Sequence, residues 1–151
     1  MPKLVNPPEI HSPGGRYSHL AAMPAGARWT HVSGQVGQDA TGRTLDGFAA
    51  QAEQAWRNVL ACLVADGMGV RDVVKVVTYL VEASDIPASR EARARVLEGH
   101  APASTLVVVK QLASPAWLIE VEAVAAKPAA AAKRAAPRKA ARPKRKAIRR
   151  R

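Results

Sequence analysis

Residues 102–126 read PASTLVVVKQLASPAWLIEVEAVAA, and the fold prediction starts from this stretch. It contains two extended apolar runs, at 105–110 and 117–125, and the Ser114-Pro115 pair between them is typical of a turn. We therefore predict two strands that form a hairpin near the end of the folded part of the chain.

The second of these runs carries two carboxylates on an otherwise apolar strand. Alternate side chains point to opposite faces of a strand, so Glu120 and Glu122 share one face. The other face is apolar and consists of Trp117, Ile119, Val121 and Ala123. Burying an ionised carboxylate is costly unless it is paired, which favours a specific role for such a residue. The alternative, an exposed or interface-paired glutamate, holds for at least one of the two.

Length and charge limit the remaining possibilities. The 151 residues suit one domain, and the formal net charge of +11 is unevenly distributed. Residues 127–151 contain 12 Lys/Arg and no acid, whereas residues 1–126 contain 11 Lys/Arg and 12 Asp/Glu. The chain therefore combines a near-neutral body with a basic tail.

Cysteine content and hydropathy predict the compartment. Cys62 is the single cysteine, which excludes an intramolecular disulfide. No apolar run approaches the roughly 20 residues that a membrane span needs, and residues 1–15 lack the apolar segment of a signal peptide. We therefore expect a cytoplasmic protein that does not contact a membrane.

The rest of the body alternates between strands and helices. Residues 1–15 contain four prolines and two glycines and predict an irregular N-terminal arm. The elements predicted after the arm are strands at 17–23 and 29–36 joined as a hairpin, a helix at 48–66 ended by Gly67, a strand at 72–81, and a helix from Asp85 to near Gly99.

This order predicts an α+β fold in which two helices cover one face of a mixed sheet. Two helices cannot cover both faces, yet residues 73–81 and 106–109 are apolar on both sides. The second face therefore needs another cover. A partner subunit related by closed rotational symmetry is the simplest one, so we expect an oligomer.

Seven short motifs follow one another in the order that is known from one protein family. In chain order they are Tyr17 after a Gly-rich lead, Ser33-Gly34-Gln35-Val36-Gly37, Gly47 with the helix at 51–58, Asp72-Val73-Val74-Lys75, Tyr79-Leu80, Pro102-Ala103-Ser104-Thr105 and Ile119-Glu120-Val121-Glu122-Ala123. Together they resemble the RidA/YjgF family of reactive-intermediate deaminases. The resemblance implies a RidA-like domain at 16–126, between the arm at 1–15 and the tail at 127–151. It also implies a chorismate-mutase-like fold and a homotrimer with small-molecule clefts between subunits.

The resemblance further implies a reaction. Active family members hydrolyse imine and enamine intermediates derived from amino acids and release ammonia, with no metal or organic cofactor. Water that attacks an imine carbon needs a group that positions it and accepts its proton. Glu120 matches the glutamate of the family's last strand and is the expected catalytic residue. Tyr17, Gly34 and Leu106 match positions that line the family's cleft.

Ser104 departs from the family pattern. Active deaminases have an arginine there, which binds the substrate carboxylate through two parallel hydrogen bonds. A hydroxyl supplies neither the charge nor this geometry, so we expect a divergent member that lacks the catalytic arginine and acts inefficiently on 2-aminoacrylate. Arg90 is a candidate for the missing cation. The alternative is that Arg90, Glu91, Arg93 and Arg95 form a solvated helix face.

The tail at 127–151 contains only Ala, Pro, Lys and Arg apart from Ile148, and it resembles linker-histone tails. This composition predicts disorder and non-specific attraction to polyanions through counterion release. The cations expected to contact nucleic acid are Lys133, Arg134, Arg138, Lys139, Arg142, Lys144, Arg145, Lys146, Arg149, Arg150 and Arg151. A solvating extension without a selected partner is the alternative. An acidic membrane surface is less favoured, because nothing apolar would anchor the tail.

These residues leave two functions open. His11, His19, His31 and His100 lack paired ligand spacing, so we expect no metal site. In the first function, a trimer binds, and hydrolyses, a small imine, enamine or carbonyl ligand in an intersubunit cleft. In the second, a non-catalytic ligand-binding or scaffold body carries tails that bind nucleic acid. The natural ligand and the role of Glu122 are not predicted.

Overall fold

The protein is described by a computed structural model, which covers residues 1–129. The strands are β1 (Lys3–Val5), β2 (Leu20–Ala22), β3 (Arg28–Val36), β4 (Val73–Leu80), β5 (Ala103–Val108) and β6 (Ile119–Lys127), and the helices are α1 (Phe48–Ala65) and α2 (Ile86–Leu97). Short 3-10 turns precede β4 and α2. The tail cations expected to bind nucleic acid, and the predicted disorder of residues 130–151, lie outside the described residues.

Four strands form the main sheet in the order β3-β6-β4-β5. β6 is antiparallel to β3 and β4, and β5 is parallel to β4. The predicted hairpin of the last two strands is therefore wrong, because β4 lies between them. The chain leaves β4, crosses through α2 and returns as β5, which is the long connection that a parallel pair requires. Residues 109–118 then carry the chain back past β4 to β6.

The first predicted hairpin is also wrong. β2 pairs with β1 in a separate two-stranded sheet, whereas β3 pairs with β6. Part of the predicted irregular arm is thus a strand. Pro2, Pro7 and Pro8 flank Lys3–Val5 rather than interrupt it, so the missing N–H groups of proline remove no ladder hydrogen bond within β1.

The helices lie where the sequence predicted them. α1 ends at Ala65, and Gly67 follows with φ 65° and an N–H that donates to the Val64 carbonyl at 2.9 Å. Glycine adopts this left-handed conformation at little cost, which explains why the helix ends there. α2 has Pro87 in its first turn as predicted, although Asp85 makes no side-chain capping hydrogen bond.

Both helices pack on one face of the main sheet, which confirms the predicted α+β class. The apolar core between them includes Val32, Val76, Leu80, Ile119, Val121 and Ala125 from the sheet, and Ala55, Trp56, Val59, Leu63, Ala92 and Leu97 from the helices. Within residues 1–129, neither helix is long and apolar enough to cross a membrane.

Neither of the two helices found among residues 1–129 packs on the opposite face of the main sheet, and we call it the open face. Alternation along β6 is as predicted: Ile119 and Val121 are buried under the helices, whereas Glu120 and Glu122 point to the open face and are half-buried. β6 continues through Lys127, whose ammonium lies 3.2 Å from an Asp72 carboxylate oxygen. The first residue of the predicted tail therefore belongs to the folded body.

Candidate functional site

A cavity of about 240 Å³ lies at the β5 edge of the main sheet, beside α2, and we call it the edge cavity. The residues that line it are Arg16, Tyr17, Arg90, Arg93, Ser104 and Leu106. Tyr17, Arg90, Ser104 and Leu106 are four of the six site residues predicted from the sequence. The structure thus brings most of the predicted binding residues together around one cavity.

β5 and the chain before β2 position the walls of this cavity. Ser104 and Leu106 alternate with Thr105, so both point to the side of the sheet that the helices cover. The chain at Tyr17 is attached to β5 by the Ser18 N–H, which donates to the Pro102 carbonyl at 3.1 Å. Edge-on contact with the His19 ring, 5.5 Å between centroids, fixes the Tyr17 ring.

Arg93 reaches Ser104 from α2. Its Nη1 donates to Ser104 Oγ at 2.9 Å, and its Nη2 donates to the Arg16 carbonyl at 2.8 Å. Burial, and then the nearby charges of Arg90 and Arg16, lower the pKa of Arg93, but an arginine stays protonated at neutral pH. The position where the family has an arginine therefore holds a serine that is hydrogen-bonded to a guanidinium.

The sequence prediction did not name Arg93 as a site residue and mentioned it only within the alternative of a solvated helix face. One signal was present in the sequence. Arg90 and Arg93 are three residues apart, so in a helix they lie one above the other on the same face. A face that carries Arg90 toward the cavity therefore carries Arg93 there as well.

Glu120 lies on the open face, away from the edge cavity. It is in register with Tyr79 of β4, and Tyr79 is in register with Val107 of β5. Ser104 is three residues before Val107 and points to the helix-covered side. Within one subunit, the sheet therefore separates the predicted catalytic carboxylate from the predicted binding serine.

Gly34 makes the space that the Glu120 side chain occupies. The register of β3 against β6 shifts between Val32 and Gln35, which is a bulge that contains Gly34. A Cβ atom at residue 34 would overlap the Glu120 carboxyl group. Glycine thus allows the backbone of the bulge to approach the carboxylate closely, and it lies with Glu120 rather than in the edge cavity.

Glu122 has a structural partner, which the sequence did not predict. The Tyr79 hydroxyl donates to Glu122 Oε1 at 2.7 Å. This hydrogen bond, followed by desolvation and the charges of Glu122 and Glu120, raises the pKa of Tyr79. Tyr79 therefore stays protonated at neutral pH, and its hydroxyl group continues to donate its hydrogen bond to Glu122. Among the hydrogen bonds of residues 1–129, none involves the Glu120 carboxyl group.

The histidines form structural contacts. His19 Nε2 lies 2.8 Å from the His11 carbonyl oxygen, and the buried His100 Nε2 lies 2.7 Å from that of Val73. Within the described part of the chain, no three His, Cys, Asp or Glu side chains are arranged to hold a metal ion.

Comparison with known proteins identifies the family. Residues 9–127 match the family model described as Endoribonuclease L-PSP. A RutC family protein of Pyrococcus horikoshii is 35% identical over 117 residues, which cover 76% of this chain and 90% of that protein. The 2-iminobutanoate/2-iminopropanoate deaminase of Rattus norvegicus is 29% identical over 127 residues, which cover 83% of this chain and 90% of that protein.

Solved structures give the same result. A Rid family protein of unknown function from Yersinia pestis superposes with a TM-score of 0.75 at 30% identity, covering 82% of this chain and 97% of that one. RidA from the Antarctic bacterium Psychrobacter sp. superposes with a TM-score of 0.62 at 29% identity, covering 82% and 98%. The fold, the motif order and these matches agree, and the chain belongs to the RidA/YjgF family.

Proposed function

We propose that the protein hydrolyses a small imine or enamine as a homotrimer, in a cleft formed between subunits. One observation carries this proposal. Glu120 and Gly34 lie on the open face, whereas Tyr17, Arg93 and Ser104 lie at the edge cavity on the other side of the sheet. A small molecule cannot contact both sets within one subunit. A neighbouring copy whose open face meets the β5 edge would join them.

Exposed apolar side chains on the open face support such an assembly. Trp29 is 49% exposed and Val107 is 38% exposed. Both alternate with side chains on the helix-covered face, so they project from a sheet surface that water would otherwise cover. Trp29 and Val107 lie on the two edge strands of the sheet, so an interface that covered both would extend across the whole open face. A second copy of the chain would bury them.

Glu120 is the residue that would perform the chemistry. Its carboxylate would position a water molecule and take a proton as the water oxygen bonds to the imine carbon. The protonated carboxyl group would then return this proton to nitrogen, which gives a carbinolamine. Transfer of the carbinolamine hydroxyl proton to nitrogen, again through the carboxylate, would let the carbon–nitrogen bond break as the carbonyl bond forms, so that ammonia leaves a carbonyl product. An enamine would enter this sequence after protonation at carbon. The relatives named 2-iminobutanoate/2-iminopropanoate deaminase support this class of reaction.

The test compares ammonia release by the wild type, Glu120→Gln and Glu122→Gln, each above the rate in buffer alone. General acid–base catalysis contributes about 10²- to 10⁴-fold, so we expect Glu120→Gln to lose at least about 10²-fold. Glu122→Gln is the matched control, because it changes a carboxylate on the same strand face that is already bonded to Tyr79. Equal rates for the wild type and Glu120→Gln would exclude Glu120 from the reaction.

A second candidate function is non-specific binding of nucleic acid by the tail. Its basis is the sequence of residues 127–151, which contains 12 Lys/Arg and no acidic residue. Phosphate contacts by so many cations release counterions, so we expect binding that falls steeply with salt. The two functions are compatible, because the tail follows β6 in the sequence and every residue proposed for the deaminase site precedes it.

Gel-shift titration of the full-length protein against a chain that ends at Ala129 tests the tail. This end point retains all of β6. We expect the shortened chain to lose binding, and the full-length protein to lose affinity as salt rises from 50 to 200 mM, by about 10³-fold or more if six phosphates are contacted. Binding by the shortened chain that is equally strong and insensitive to salt would contradict a role for the tail.

A further inference from the structure

We propose that the edge cavity binds small acids that carry two negative charges, with Arg93 and Ser104 holding one acid group and Arg16 and Arg90 attracting the other. This inference rests on the proposed function and deepens it, because it names the charge of the substrate. It also opposes the expectation, based on Ser104 alone, that acidic substrates are handled poorly.

Three arginines line the edge cavity, and no acidic side chain is among the residues that line it. The ion pairs formed within residues 1–129 use other cations, namely Arg28, Arg43, Arg57 and Lys127. The lowered pKa of Arg93 has burial as its first cause and the charges of Arg90 and Arg16 as the next. The three charges therefore act on one another, and a bound anion would relieve their repulsion.

Arg93 and Ser104 together form a preoriented anion-binding site. The guanidinium has five N–H groups, and the contacts to Ser104 and to the Arg16 carbonyl use two of them. Ser104 accepts a hydrogen bond from Arg93, which leaves its own proton available for donation. A carboxylate in the cavity would thus meet a charged donor and a hydroxyl that are already oriented by each other. The arginine reaches the site from α2 instead of from β5.

The other two arginines argue for a second acid group. Arg16 and Arg90 are exposed and flank Arg93, which is half-buried. A single carboxylate would neutralise one of three positive charges and leave the others uncompensated. The same three arginines also line a neighbouring cavity of about 320 Å³, where Glu91 is the one acidic lining residue, so there is room for a longer ligand. Tyr17 and Leu106 remain to contact the carbon chain.

Calorimetric titration of the full-length protein at low salt tests the charge of the ligand. The probes are 2-oxobutanoate, which has one negative charge, 2-oxoglutarate, which has two, and inorganic phosphate, which is largely dianionic at pH 7.5. We expect 2-oxoglutarate, whose two charges lie on separate carboxylates, to bind about 10-fold more tightly than 2-oxobutanoate. Phosphate carries its charge on a single group and is the control that separates total charge from the number of acid groups. Equal or weaker binding of 2-oxoglutarate than of 2-oxobutanoate, or phosphate binding as tight as that of 2-oxoglutarate, overturns the proposal.

Variants locate the binding. Arg93→Gln should weaken every probe by about 10-fold or more, whereas Arg90→Gln should remove the preference for dianions and leave 2-oxobutanoate within about 2-fold of the wild type. Arg95→Gln is the matched control, because Arg95 is an exposed arginine of α2 that lines neither cavity. All variants keep the same basic tail, so its contribution cancels. A dianion preference that survives in both Arg93→Gln and Arg90→Gln overturns the proposal.

One more variant separates this inference from the proposed function. Glu120→Gln should lose ammonia release but keep the preference for 2-oxoglutarate over 2-oxobutanoate, because the residues proposed to bind the two acid groups line the edge cavity and are unchanged in this variant. If the dianion binds as expected but no imine releases ammonia, the deaminase proposal fails and the anion site stands. If imines are hydrolysed without any preference for acids of two charges, the anion site fails and the deaminase proposal stands.

Discussion

Gly34 and Gly37 are separated by two residues but limit the structure in different ways. A Cβ at residue 34 would meet the end of the Glu120 side chain, which can rotate away. A Cβ at residue 37 would meet the backbone of Gln51, which cannot. The side chain of Gln51 is also held in place, because its Nε2 donates to the Ala116 carbonyl at 2.9 Å and its Oε1 accepts from the Leu118 N–H at 2.9 Å. A side chain at residue 34 would therefore disturb the candidate site, whereas a side chain at residue 37 would disturb the fold.

Gly34→Ala should lower activity with little loss of stability. The added methyl group displaces the Glu120 carboxyl group, and an error of about 1 Å in a catalytic group can cost about 10²-fold in rate. The matched variant Gly37→Ala should instead destabilise the fold by about 1–3 kcal/mol, because it overpacks against backbone. Ammonia release and thermal unfolding measure the two effects. Wild-type activity in Gly34→Ala would show that the carboxyl position is unimportant.

Arg93 is the residue of the edge cavity that contacts Ser104, and it was not predicted from the sequence. The sequence prediction sought a cation to replace the family arginine, and an arginine of α2 donates a hydrogen bond to Ser104. Arg90 was chosen because of its position in the family's motif order. The residue that contacts Ser104 is instead Arg93, which is 11 residues away in sequence and lies on a different element. Helical spacing identifies which arginines share a face, but it does not identify which one reaches a strand beside the helix.

At the level of elements, the periodicity of the residues predicted the helices and the alternation along β6 correctly, whereas the predicted pairing of the strands was wrong. The helix of 18 residues at α1, its end at Gly67 and the alternation along β6 are all visible in the sequence, because each depends on neighbours a few residues away. Both predicted hairpins were wrong. The first assumed that β2 pairs with β3, yet β2 pairs with β1 and β3 pairs with β6. The second assumed that β5 pairs with β6, yet β4 lies between them. Strand partners depend on the whole sheet rather than on the turn between two runs.

At the level of the whole molecule, the two halves of the proposed site lie on opposite sides of one sheet. Glu120 is on the open face, and Ser104 is at the edge cavity. If catalysis needs both, then each site takes its carboxylate from one subunit and its anion-binding residues from the next. The open face then has two roles, because it forms the interface and contributes the catalytic group.

Mixed trimers test this shared site. At substrate concentrations below KM, Glu120→Gln and Arg93→Gln should each lose most of their activity alone, but co-expression should restore part of it. In random trimers with cyclic symmetry, about one quarter of the sites combine an intact Glu120 from one subunit with an intact Arg93 from its neighbour. We therefore expect about one quarter of the wild-type rate, together with a trimer in analytical ultracentrifugation. A monomer, or mixed protein without activity, would contradict the shared site.

By itself, the sequence determined the α+β class and the family, because these depend on local periodicity and on motifs that can be compared one position at a time. Only the tertiary structure decided that Arg93 is bonded to Ser104, that Gly34 makes room for Glu120, and that the sheet separates these two groups. Such contacts join residues that are distant along the chain. They are set by how strands pair and helices pack, and no local pattern of residues encodes that choice.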